Sequence, residues 1–206
     1  MGYKRSKLMQ RRLAENRQAI LDSTRHLLSQ GGFANALVHN IAEDAGISSG
    51  LVYQYFKNKN AILIETLQSA TQKEVDVLSA IASSELKSED KLYKAVRVFV
   101  KRALNNPRLA YALMFEPINS DLEYARFNCK ELLKQQILKI VTQCLKHKHY
   151  SAGKLNTLAL CIVGTMTYAV IEDLDGAQAQ TVSTNHNTKI AEQVAQFSVA
   201  AIQAQQ

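Results

Sequence analysis

The sequence predicts an all-α protein, and three observations carry that reading. Two prolines and eight glycines in 206 residues leave little turn chemistry, so few and long elements follow. Leu, Ala, Gln, Glu and Lys, all good helix formers, are abundant. Apolar residues recur at three- and four-residue spacing along most of the chain, and no alternating, strand-like run stands out. A chain of this length can bury a real core.

The elements follow in order. Leu13, Ile20, Leu21, Thr24, Leu27 and Leu28 share one helix face, and Gly31-Gly32 is expected to end that helix. After a short segment considered below, Ile62, Leu63, Thr66, Leu67, Ala70, Val77 and Ile81 mark a long helix with Asn58 as its N-cap. Leu92, Val96, Phe99, Val100 and Ala103 mark another, which stops at "NNP". There Asn106 caps a new helix with Pro107 in its first turn. Pro117 disfavours helical geometry at Glu116 and closes it. Ser120 and Glu123 have capping-box spacing and open a helix striped by Leu133, Ile137, Ile140, Val141 and Cys144. Two more helices are expected at about 153–172 and 186–203, separated by the loop-like "DGAQAQTVSTN".

The segment "IAEDAGISSGLVYQYFKNK", Ile41 to Lys59, meets the steric demands of a helix-turn-helix. Ile41, Ala42 and Ala45 give a first helix an apolar, small-residue face where a partner helix crosses. Gly46 supplies a left-handed turn residue, and Ile47 plugs the corner. Ser48 caps the second helix, whose Val52, Tyr55 and Phe56 face inward. Ser49, Gly50, Leu51, Tyr53 and Gln54 then face outward, where small and hydrogen-bonding side chains can approach DNA base edges and phosphates. The charge agrees. Residues 1–60 hold nine Lys/Arg against four Asp/Glu, while the remainder holds sixteen against fourteen. Lys4, Arg5, Lys7, Arg11 and Arg12 precede the first acid, Glu15, forming a basic arm suited to a polyanion.

The stretch "ILDSTRHLLSQGGFANALVHNIAEDAGISSGLVYQYFKNKNAIL", Ile20 to Leu63, resembles the DNA-binding segment of the TetR family of transcriptional repressors. Its "GGF", its Ile41-Ala42, its Ala45-Gly46-Ile47-Ser48 and its "VYQYFKNK" answer that family's motifs. The resemblance implies an N-terminal three-helix helix-turn-helix domain, residues 1–57, joined to a C-terminal helical ligand-binding and dimerisation domain of about six helices, residues 58–206. It also implies base-reading positions at Ser49, Gly50 and Tyr53, and phosphate contacts at Tyr55 and Lys59. With Ser48, Leu51, Gln54 and Lys57 these form the expected DNA surface. Family members often carry Ser or Thr where this chain has Leu37, and a basic residue where it has His39; His39 keeps hydrogen-bonding capacity and joins the DNA surface, whereas Leu37 does not cap. Asn35 is a possible substitute for that cap.

Several other functions are disfavoured. Cys129, Cys144 and Cys161 lack CxxC spacing, and with no signal peptide they read as free thiols in a cytoplasmic protein. Cys144, His147 and His149 lack a second cluster that would complete a metal site. "MGYKRS" matches the loose myristoylation pattern with nothing to support it. Leu155–Ile171 is charge-free but contains Asn156, Thr157, Thr165 and Thr167 and is short for a membrane span of about 20 residues. No glycine-rich phosphate loop or nucleophile elbow points to an enzyme, and no cofactor is expected.

The expected function is therefore a DNA-binding transcriptional regulator, a repressor released from a palindromic operator by a small-molecule effector. The alternative is an effector-independent architectural or accessory DNA-binding protein, whose body would hold no pocket. Phe99, Tyr111, Phe115, Glu116, Tyr124, Phe127 and Met166 are the candidate pocket residues. The helices near 153–172 and 186–203 are expected to form a homodimer interface through Leu155, Leu158, Ile162, Val163, Met166, Ile190, Val194 and Phe197.

Overall fold

The computed structural model describes residues 7–171 and 184–206. Among the described residues the chain is all helical, with nine α-helices and no strand. Lys4 and Arg5 of the basic arm, and most of the expected loop after residue 174, lie outside the described residues.

The helices are α1 (Lys7–Asn35), α2 (Val38–Asp44), α3 (Ser49–Tyr55), α4 (Lys59–Ala82), α5 (Ser88–Leu104), α6 (Pro107–Met114), α7 (Ser120–Cys144), α8 (Ala152–Tyr168) and α9 (Thr184–Gln203). Local capping chemistry sets most of their starts. Ser48, Asn58 and Asn106 accept hydrogen bonds from Leu51 N, Ala61 N and Leu109 N, and Pro107 occupies the first turn of α6. One expectation is corrected. Asn119, not Ser120, caps α7, accepting from Leu122 N at 3.1 Å, while the Glu123 carboxylate of the supposed capping box pairs with Arg126 instead. The first helix is broken where Gly31-Gly32 is expected to end it. It kinks at Gly32 (φ 68°, ψ −157°), a conformation essentially restricted to glycine, and resumes to Asn35.

Two apolar clusters organise the chain. The body cluster joins α4, α5, α7, α8 and α9 around Leu78, Val96, Phe99, Ile137, Ile140 and Met166. The head cluster joins α1 to α4 around Ile20, Leu28, Ile41, Val52, Phe56 and Ile62. It also takes in Ala112 of α6 and Leu122 of α7. The head therefore shares packing with the body through α4, α6 and α7.

Candidate nucleic-acid interface and an apolar cavity

The head is held by contacts that leave one face of α3 free. Val52 is fully buried and Phe56 nearly so, whereas Tyr53 is 54% exposed. Gly46 adopts φ 67°, so the turn between α2 and α3 has the left-handed geometry its glycine predicts. Ile47 packs against the head cluster from the corner. Arg17 of α1 pairs with Glu65 of α4 through both guanidinium edges, lies 4.4 Å over the Phe56 ring, and donates to Tyr55 O at 3.1 Å. That bidentate pair fixes α4 against α1 behind the exposed face of α3. At the end of α2, His26 Nδ1 lies 2.9 Å from Asp44 Oδ1. A Ser23 hydrogen bond and the His26 contact outweigh the opposing effect of partial burial and hold the Asp44 carboxyl below the ordinary range.

The expected DNA-facing residues fall into two groups. His39, Ser48, Gly50, Tyr53, Gln54 and Lys57 are exposed, and Ser49 and Leu51 are half-buried beside them. Tyr55 and Lys59 are half-buried and already engaged: Asn16 Nδ2 donates to Tyr55 Oη at 3.0 Å, and Lys59 Nζ donates to Phe33 O at 3.2 Å. Leu37 stands at the N-cap of α2 with no side-chain cap, and the Asn35 side chain does not replace one. Asn40 instead donates to Asn35 O at 2.9 Å and tightens the turn before α2.

A cavity of about 300 Å³ lies between α1, α4, α5, α6, α7 and α8. Of the seven expected pocket residues, only Phe99 lines it. Met166 is 1% exposed within the body core. Tyr124 and Phe127 point outward, at 70% and 64% exposure, because the inward stripe of α7 is Leu122, Ala125, Arg126 and Cys129. Phe115 packs edge-on to Tyr168 and faces Tyr111, away from the cavity. Glu116 is a connector: Phe33 N donates to its Oε1 at 3.0 Å, and Arg108 Nη1 to its Oε2 at 2.8 Å.

The sequence reading missed Arg25, Lys73, Arg102, Lys130 and Arg126, all of which line the cavity. One signal was available for Arg126, a charged residue set within the apolar stripe of α7. It is 4% exposed, and its Nη atoms serve Glu123 Oε1, Ala112 O and Glu116 O. Burial lowers its pKa, although nearby Glu123 and Glu116 oppose that shift. Among the described residues no group of three or more His, Cys, Asp or Glu side chains is arranged to hold a metal ion, and no helix is long and apolar enough to cross a membrane.

A three-helix head with a glycine-turned helix-turn-helix, an exposed face on its second helix and a helical body is an architecture used by helix-turn-helix DNA-binding modules. Residues 20–66 match the family model described as bacterial regulatory proteins, tetR family. That match covers the helix-turn-helix head and the start of α4. It is 27% identical over 134 residues to the fatty acid metabolism regulator protein of Bacillus subtilis, a match covering 65% of this chain and 64% of that protein. It is 33% identical over 64 residues to the regulator BetI of Cronobacter sakazakii, covering 31% of this chain and 32% of that one. The chain thus spans less than two thirds of each of these relatives. A solved structure of the regulator FadR from Bacillus subtilis in complex with stearoyl-CoA superposes with a TM-score of 0.75 at 18% identity, covering 89% of this chain and 97% of that one. That likeness establishes the fold.

Proposed function

We propose that this protein is a one-component transcriptional repressor that binds a palindromic operator as a homodimer and is released by a small-molecule effector. The observation that carries the reading is the α3 face, where Gly50, Tyr53 and Gln54 are exposed while Val52 and Phe56 on the opposite side are buried. A recognition helix needs that division between a face for DNA and a face for its own core. His39, Ser48, Ser49, Leu51 and Lys57 border the same surface and complete the DNA contact. Tyr55 and Lys59 act through the side-chain atoms their internal bonds leave available. In bacterial regulators of this kind the working compartment is the cytoplasm.

The dimer forms through α8 and α9. Their outward stripes are Leu160, Cys161, Gly164 and Tyr168 on one helix, with Phe197, Ala200 and Ala204 on the other. Leu160, Tyr168 and Phe197 are each more than half exposed. Large apolar side chains on a face otherwise made of small residues favour close packing across a two-fold axis. Ile162, Val163 and Met166, which the sequence also assigned to this contact, are buried in the chain's own core, because the opposite face of α8 packs on the body.

The cavity is the effector site. It touches α6, which lies between the body and the Gly32–Phe33 kink of the head. An effector acts by preferring one arrangement of the two heads over another. The alternative of an effector-independent DNA-binding factor is disfavoured by this ligand-sized space, within the range of about 300–1,000 Å³ typical of small-molecule sites. Selection from random duplex DNA tests the reading. The expected product is an inverted repeat, and a library that yields no enriched sequence would overturn it.

A further inference from the structure

The cavity has two kinds of wall. Leu67, Phe99, Leu109, Leu113 and Leu133 make an apolar interior. Around them stand five cationic side chains, Arg25, Lys73, Arg102, Lys130 and Arg126, against one acid, Glu74. Resting on the effector-site reading above, we propose that the cavity binds an amphipathic anion, an apolar body ending in a carboxylate or phosphoester group. Arg25, on the first helix of the DNA-binding head, is one of the residues that hold the anion.

Charge compensation within the protein is incomplete and exchangeable. Arg102 Nη2 pairs with Glu74 Oε1 at 3.0 Å, and Arg25 Nη2 pairs with Asp22 Oδ1 at 2.9 Å. Both arginines are partly exposed, and such pairs contribute little by themselves, so an incoming anion displaces them at small cost. Lys73, Arg102 and Lys130 are exposed, which places an anion-binding rim where a polar head group keeps its contact with water. Deeper in, the buried Arg126 guanidinium has an Nε with no hydrogen-bond partner. A buried, incompletely paired cation stabilises a nearby anion and repels another cation. A neutral apolar ligand would use the leucines and leave the Arg126 Nε donor and the cationic rim unmatched.

The consequence is regulatory. Arg25 belongs to α1, whereas Lys73, Arg102 and Lys130 belong to α4, α5 and α7. One anion shared between Arg25 and the others cross-links head to body, so occupancy of the cavity fixes the head's position directly as well as through α6. A ligand lacking the anion fills the apolar part and leaves the head unclamped.

Calorimetric titration of the full chain with decanoate, decanoyl-coenzyme A and decanol separates these contributions. At least one anionic probe is expected to bind about tenfold or more tightly than decanol, as charge-assisted hydrogen bonds imply. Preference between the two anionic probes identifies carboxylate or phosphoester as the head group. Arg25→Gln should weaken the anionic probe about tenfold, and Glu74→Gln, which releases Arg102, should strengthen it several-fold. Decanol affinity should change in neither variant. These opposite directions are not produced by a folding defect, and the ratio of operator affinities with and without the anionic probe should move towards one in Arg25→Gln. Equal binding of decanol and the anions, no binding of any probe, or an unaltered response in Arg25→Gln would overturn the proposal. Because operator selection is scored without ligand, failure of the repressor reading is seen separately.

Discussion

Glu116 accepts a hydrogen bond from the backbone N–H of Phe33 at 3.0 Å, joining residues 83 positions apart at the junction of head and body. The same carboxylate accepts from Arg108 at 2.8 Å. The backbone that presents Phe33 is set by Gly32, whose φ of 68° and ψ of −157° suit only glycine. A Cβ there would also collide with the Arg108 guanidinium and the Glu116 carboxylate. Glycine, carboxylate and guanidinium therefore form one unit.

Breaking that unit should destabilise the chain. Glu116→Ala leaves Phe33 N and Arg108 without partners and is expected to cost about 1–3 kcal/mol. Gly32→Ala combines backbone strain with a steric clash and should cost at least as much, about 1–3 kcal/mol from strain alone. Urea unfolding midpoints check both. Unchanged midpoints would mean that the junction carries no load.

Tyr53 and Val52 are neighbours on opposite faces of α3, one exposed and one fully buried. Tyr53→Phe removes only an exposed hydroxyl, so operator affinity should fall while the melting temperature stays within about a degree or two, as for surface substitutions generally. Val52→Asp buries an unpaired charge at a fully buried site and should destabilise the head by more than about 3 kcal/mol. Operator titration beside thermal melting reads the contrast. A Tyr53→Phe variant that melts early and binds normally would reassign Tyr53 to the core.

Glu74 gives a pH-dependent prediction. Burial raises its pKa above the ordinary 4.5, and the Arg102 charge and hydrogen bond only partly offset that. A raised folded-state pKa means its favourable contribution is present in full below the unfolded value and is lost as pH rises through the folded one. Glu74→Gln should therefore raise stability relative to wild type at pH 7, and the advantage should shrink as pH falls towards 4. Melting curves across that range test the sign.

The cysteines report the proposed dimer. Burial, with Glu89 adding to it, pushes the Cys144 thiol up to about 11, and burial raises Cys129 as well, so neither should react readily at neutral pH. Cys161 is exposed on the outward stripe of α8. A maleimide reagent should modify Cys161 slowly in wild type and quickly in Phe197→Glu, which is expected to be a helical monomer. Equal rates in the two proteins would place the interface elsewhere.

How much was legible in the sequence depended on how local the cause was. The helix-turn-helix was readable because Gly46, Ser48 and Val52 act within a few residues of one another, through turn geometry, capping and period. Asn58 and Asn106 were readable for the same reason. The cavity was not. Arg25, Lys73, Arg102 and Lys130 sit on four helices, and each alone reads as a solvated surface charge. Aromatic content misled at Tyr124 and Phe127, where the neighbouring Ala125 and Arg126 take the inward positions. On α8, apolar residues on both faces gave no means of telling the chain's own core at Ile162, Val163 and Met166 from the outward Leu160 and Tyr168.

Salt dependence tests the electrostatic part of DNA binding. Log affinity should fall linearly with log salt at a slope of about −0.9 per phosphate neutralised. Removing Met1 to Lys7, with its three cations, should flatten that slope and weaken all sequences alike. An unaltered slope would exclude the arm from the contact.

The most direct test of the account is binding to selected operators whose half-sites are moved apart. A dimer with two recognition helices needs half-site centres about 34–36 Å apart, one turn of B-DNA. The account predicts two chains on each intact palindrome, weak binding to a single half-site, and steep loss of affinity when about half a turn, roughly five base pairs, is inserted. Tight binding of one chain to a single half-site, indifferent to the insertion, would contradict it.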